Sequence, residues 1–134
     1  MKLFLDANVL FTAAHNPTGK SAFVIELSKE EYWKVVTCQF AIDEAERNLQ
    51  LKFPDTIPAF KKLLRTIQIV ATSVEGEIPF SLPEKDRPIF LSARRAKCSH
   101  LLTGDKKHFG KGMNSPQKTL GITIQMVAEF LDTI

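Results

Sequence analysis

Four carboxylates in this chain fall where a parallel α/β sheet would gather them: Asp6, Glu44, Asp86 and Asp105. Asp6 ends the apolar run Leu3-Phe4-Leu5, and Asp105 ends Leu101-Leu102-Thr103-Gly104. Glu44 and Asp86 sit in, or at the start of, helical segments that follow strand-like runs. In open α/β sheets, side chains at the carboxyl ends of successive strands face one crevice. Carboxylates crowded into a crevice cannot all stay ionised unless cations balance them. The pattern predicts a site for a hard divalent ion, and such sites commonly cut phosphodiesters.

The rest of the chain must supply the elements that bring these acids together. Residues 2–5 read as a short buried strand, and Val35–Thr37, Ile67–Ala71, His100–Thr103 and Ile122–Ile124 as further strands. Between them the periodicity predicts helices. Ser21–Glu31 would turn Phe23, Val24 and Leu27 inward. A helix from Ala41 to near Gln50 would bury Ile42, Ala45 and Leu49, leaving Glu44 on the flank with Asn48. Pro58 suits the first turn of a helix reaching Thr66. Asp86 suits the N-cap of a helix carrying Ile89, Phe90, Ala93 and Ala96. A last helix would bury Met126, Val127, Phe130 and Leu131. Strands alternating with helices imply a parallel sheet covered on both faces: a three-layer α/β/α sandwich of about five strands. No repeat or linker divides it, so residues 1–134 are expected to form one domain.

Composition excludes several classes. Apolar residues make up 44% and charged residues 25%, as in soluble globular proteins. Asp6 interrupts the amino-terminal apolar run too early for a signal-peptide core. No apolar stretch approaches the roughly 20 residues of a membrane span. Cys38 and Cys98 lack metal-ligand spacing, and buried, reduced thiols in a cytoplasmic protein are expected. The net charge of +3 is unevenly placed. Arg94, Arg95, Lys97, Lys106, Lys107, Lys111 and Lys118 share a stretch whose only acid is Asp105. A basic surface beside an acidic crevice suits a polyanion, and the plainer alternative is a solvated face.

Leu5-Asp6-Ala7-Asn8-Val9-Leu10, Glu44, Asp86 and Thr103-Gly104-Asp105 together resemble the PIN-domain nucleases over nearly the whole chain. Each motif alone is weak, while the four in order are specific. Residue 7 is Ala where the family often has Thr, and Lys107 stands where many members place another acid. The resemblance implies a Mg²⁺- or Mn²⁺-dependent endoribonuclease. Asp6 and Asp105 would be direct metal ligands, Asp86 a ligand directly or through water, and Glu44 the group that positions or deprotonates the attacking water. Asn8 and Thr103 would orient the carboxylates. Arg94, Arg95, Lys106 and Lys107 would bind the nucleic acid. Preference for RNA rests on the resemblance alone. Small members resemble the VapC-like toxins of toxin–antitoxin pairs, so a small antitoxin partner is expected. A homodimer is expected on the frequency of two-fold pairs.

Other readings are weaker. Ala14 to Ser21 falls one glycine short of a phosphate-binding P-loop and reads better as a turn with a helix cap. A haloacid-dehalogenase-like phosphatase would need Asp where Asn8 stands. His15, His100 and His108 have no ligand-like spacing, and His108 reads as a surface-loop residue or a contact to phosphate or base. A catalytically silent PIN-fold module, binding RNA or protein, is the non-enzyme alternative. Loss of an acid would mark it, and none is lost.

Overall fold

Leu3, Phe4 and Leu5 are fully buried in the first strand, because it lies at the centre of the sheet with both faces covered. The computed structural model describes residues 1–134. Five strands form one parallel sheet: β1 (Lys2–Leu5), β2 (Lys34–Cys38), β3 (Gln68–Val70), β4 (His100–Leu102) and β5 (Thr123–Gln125). Their spatial order is β3-β2-β1-β4-β5. Phe4 pairs with Val36 on one side and Leu101 on the other. The chain thus winds outward from β1 in both directions, and the order reverses between β1 and β4. β3 closes one edge, where Ile69 is half exposed.

Helices α1 (Ala7–His15), α2 (Lys20–Lys29), α3 (Gln39–Lys52), α4 (Ile57–Leu64), α5 (Arg87–Arg95), α6 (Lys106–Phe109) and α7 (Val127–Asp132) complete a three-layer α/β/α fold. α1 packs on α2, α3 and α4, while α5 lies against β2 and β4. Phe60, Phe90, Phe109 and Phe130 are fully buried in the core. Trp33 crosses Phe130 edge-on and donates its indole N–H to the Val24 carbonyl at 2.9 Å. Cys38 and Cys98 are buried free thiols, and burial pushes the Cys98 thiol up to about 11. No helix is long and apolar enough to cross a membrane.

Two local expectations are corrected, and one helix is added. α1, to which the periodicity above assigns no element, follows Asp6 directly and turns Ala7, Val9, Leu10, Ala13 and Ala14 to the core on one face. In α2 the buried residues are Ser21, Val24 and Ile25, while Phe23 is 51% exposed and Leu27 only half-buried. Residues two apart on a helix point about 200° apart, so burying Ile25 turns Phe23 outward. Asp86 occupies the N-cap position of α5, but its side chain makes no capping hydrogen bond. The segment resembling a P-loop runs from α1 into α2, with Gly19 at the cap, and no strand leads into it.

Candidate metal centre

Asp6 and Asp105 follow the carboxyl ends of β1 and β4, beside the reversal of strand order between these two strands. Asp6 is the first residue after β1, and its amide donates to the Leu102 carbonyl at 3.0 Å. Its carboxylate accepts from the Ala7 amide at 2.7 Å and from Thr103 Oγ1 at 2.8 Å. Thr103 Oγ1 in turn accepts the Asp105 amide at 3.0 Å. Asn8 Oδ1 accepts the Gly104 amide at 2.7 Å, and a Cβ at Gly104 would crowd Asn8 Oδ1 at 3.3 Å. The glycine therefore permits the close approach. Thr103 touches the Asp6 carboxylate itself, whereas Asn8 holds the loop that carries Asp105.

Asp6 is 4% exposed, and burial raises its carboxyl from 3.8 to about 6. The Thr103 and Ala7 hydrogen bonds pull the other way, while the charges of Glu44 and Asp86 push it further up. Glu44 is half-buried in the second turn of α3. Its neighbours have other partners: Asp43 accepts from Gln39 Nε2 at 2.8 Å, and Glu46 pairs with Lys61. Glu44 is the acid of α3 whose charge reaches Asp6.

Asp86 ends a 3₁₀ turn, Glu84–Asp86, and is 8% exposed. Burial raises its carboxyl above the usual carboxylate range, and Asp105 adds repulsion, while His108 and Lys85 oppose the shift. Asp105 caps α6 through Oδ1, which accepts the His108 amide at 3.1 Å. Its Oδ2 lies 2.6 Å from His108 Nδ1, and Asp86 Oδ2 lies 2.9 Å from the same nitrogen. Neither contact has hydrogen-bond geometry: Asp86 Oδ2 and His108 Nδ1 are both buried without a hydrogen-bond partner. One donor atom each from Asp86, Asp105 and His108 fit within 4.8 Å of one another. A buried carboxylate oxygen left without a donor, among further carboxylates, is the chemistry of a hard divalent cation site. The residues fit such an ion.

The basic residues divide. Lys107, Lys111 and Lys118 line a cleft of about 950 Å³ with Phe80 and Pro83, and His108 borders it. Lys106 is exposed on the first residue of α6. Arg94 and Arg95 lie in the last turn of α5, roughly 13 Å along the helix from Asp86 at 1.5 Å per residue. They border a separate cleft with Glu75 and Lys97. Reading along the chain joins these two groups, while α5, whose start lies at the acids, carries them apart.

His108 is the site residue that sequence reading placed on the surface. Its spacing of three from Asp105, across a helix cap, is the signal that could have found it. The other histidines lie elsewhere: His15 stacks on Phe53 with centroids 4.6 Å apart, and His100 Nδ1 lies 2.8 Å from Ser99 Oγ.

No protein-family model matches the sequence, and no curated protein matches it. Solved structures do share its fold. VapBC2 from Rickettsia felis, bound to a DNA fragment from its promoter, matches at 14% identity and a TM-score of 0.68, covering 92% of this chain and 97% of that one. VapBC-1 from nontypeable Haemophilus influenzae matches at 14% identity and a TM-score of 0.60, covering 96% and 99%. PAE2754 from Pyrobaculum aerophilum matches at 17% identity and a TM-score of 0.64, covering 99% and 88%. At these identities the likeness is one of fold, and the fold is PIN-like.

Proposed function

We propose that this chain is a divalent-metal-dependent endoribonuclease acting at Asp6, Glu44, Asp86 and Asp105, and that it is the toxin of a toxin–antitoxin pair. The observation that carries the reading is the buried Asp86 Oδ2, which has no hydrogen-bond donor and belongs to a group in which donor atoms of Asp86, Asp105 and His108 lie within 4.8 Å of one another. A buried carboxylate oxygen without a donor, beside a second carboxylate, makes sense where a cation completes the site.

Asp105, Asp86 and Asp6 would hold Mg²⁺ or Mn²⁺. When bound, the ion supplies Lewis acidity toward water and phosphate oxygen. Glu44 would orient the attacking water and take its proton as the new P–O bond forms, and the scissile P–O bond would break with its leaving oxygen taking a proton from bulk water. Thr103 keeps Asp6 and Asp105 in register. Lys106, Lys107, Lys111 and Lys118 neutralise the flanking phosphates, and Phe80 offers a face on which a base can stack.

Shared fold with two VapBC structures supports a protein partner, as does a pocket of about 390 Å³ beside the exposed Phe23, lined by Ala13, Ala22, Ile25 and Leu63. That partner would set a basic side chain against the acids, where a guanidinium forks across two carboxylates. Pairing of two copies and a cytoplasmic setting belong to the same proposal.

The test is cleavage of single-stranded RNA in Mg²⁺, in EDTA, and after Mn²⁺ is restored. Cleavage should stop in chelator and return with either ion, and Asp105→Asn should abolish it. Full activity in chelator would sink the metal mechanism. RNA binding without cleavage in any ion would leave the chain a binding module.

A further inference from the structure

We propose that His108 Nδ1 is itself a ligand of the ion held by Asp86 and Asp105, giving the centre a mixed nitrogen–oxygen donor set that favours Mn²⁺ over Mg²⁺. The inference rests on the metal-centre reading above and goes beyond it, because an all-carboxylate site suits both ions and a nitrogen donor widens the preference for Mn²⁺.

Three observations support it. Nδ1 lies 2.9 Å from Asp86 Oδ2 and 2.6 Å from Asp105 Oδ2. Neighbouring donors on an octahedral ion with bonds of about 2.1 Å are separated by roughly 3 Å. The spacing fits donors sharing an ion, and it is the missing hydrogen bond that sets these contacts apart from an ordinary ion pair. Secondly, a single ring N–H can satisfy one carboxylate at most, and here it satisfies neither. A histidine serving only to bracket the two acids would donate a straight hydrogen bond to one of them. Thirdly, the buried Asp86 oxygen has no other donor, and its carboxylate does not cap α5. It is free to coordinate.

The local build presents the nitrogen. Asp105 Oδ1 holds the His108 backbone amide, which fixes the residue on the first turn after the cap. The side chain is 26% exposed, and the ring borders the basic cleft. Imidazole nitrogen is a softer donor than carboxylate oxygen and suits transition ions, whereas Mg²⁺ prefers oxygen.

Pulsed EPR of the Mn²⁺-loaded full chain, without RNA, reads the ligand directly. Coupling to a directly bound ¹⁴N should appear in the parent and vanish in His108→Ala. Calorimetric titration should show Mn²⁺ affinity falling about ten-fold or more in that variant, with Mg²⁺ affinity changing less than about three-fold. His108→Gln gives a second variant of near-native shape, and the parent spectrum needs no variant at all. Bound Mn²⁺ without nitrogen coupling, or an unchanged preference between the ions, would overturn the proposal and make His108 a positioning residue. Asp86→Asn and Asp105→Asn separate this from the metal-centre reading it rests on. If neither weakens binding of either ion, the metal centre itself is wrong.

Discussion

Thr103 Oγ1 donates to Asp6 Oδ2 at 2.8 Å, and this fully buried hydroxyl also accepts the Asp105 amide at 3.0 Å. One side chain thereby ties an acid after β1 to an acid after β4. Thr103→Val keeps the shape and removes both bonds, together with the 3.4 Å bond that Thr103 Oγ1 accepts from Asn8 Nδ2, leaving a buried carboxylate oxygen unpaired. It should cost about 1–3 kcal/mol of stability in urea unfolding, and Thr103→Ser much less. A valine variant as stable as the parent would mean that the hydroxyl does not hold the two strand ends together.

Asp6 gives the protein a pH dependence whose sign is fixed by burial. Its carboxyl titrates at about 6 when folded and ordinarily at 3.8, so folding favours the protonated form. The stability this contributes is complete below the unfolded value and is lost as pH rises through the folded one, about 3 kcal/mol at 1.36 kcal/mol per unit. In metal-free buffer, Asp6→Asn should therefore melt at or above the parent at pH 7.5, with the advantage shrinking toward pH 4. An advantage that does not vary with pH, or a large loss at neutral pH, would show Asp6 to be a structural acid. Cleavage should disappear in the variant regardless.

The two basic groups should separate in their salt dependence. Charge reversal at Lys107 and Lys111 should weaken binding of single-stranded RNA and lower the log–log salt slope by about 0.7 for each phosphate no longer neutralised. Reversal at Arg94 and Arg95, at the far end of α5, should do less. Equal effects from the two pairs would extend the nucleic-acid path along the whole helix. Unchanged slopes in both would assign all four residues to solubility.

Expression should reveal the partner. If the chain is a toxin, producing it alone should arrest growth in a manner that Asp6→Asn or Asp105→Asn abolishes. Co-expression of the neighbouring gene should relieve the arrest and yield a complex that purifies as one species. Unimpaired growth at high expression, with nothing co-purifying, would remove the toxin reading while leaving the nuclease chemistry to the cleavage assay.

Glu44→Gln tests the remaining acid. Loss of the proton acceptor should lower kcat by about a hundred-fold or more with little change in KM. A change confined to KM would place Glu44 among the binding groups.

What the chain determined by itself is local. Leu3-Phe4-Leu5 before Asp6, and Leu101-Leu102 before Asp105, are short buried strands followed by an acid, and that pattern survives without tertiary knowledge. The inward face of α3 was equally legible, since Ala41, Ile42, Ala45 and Leu49 repeat at helical spacing. Helix α1 carries a stripe of the same kind, Ala7, Val9, Leu10, Ala13 and Ala14, but its cap Asp6 directly follows β1, so no turn marks where strand gives way to helix. Phe23 points outward although the pattern favours it inside, because either of two apolar phases fits α2 and only the packing of α1 and α7 chooses between them. The centre itself belongs to the tertiary structure. Asp86 has the sequence context of a cap, yet its carboxylate leaves the helix for His108, and His108 carries no periodic signal in a four-residue helix. The strand order β3-β2-β1-β4-β5 brings β1 beside β4, nearly a hundred residues on, so the Thr103–Asp6 bond joins positions 97 apart. Sequence patterning reports which face of an element is apolar. Which acids meet, and which oxygen is left without a donor, follows from long-range packing, which no local period encodes.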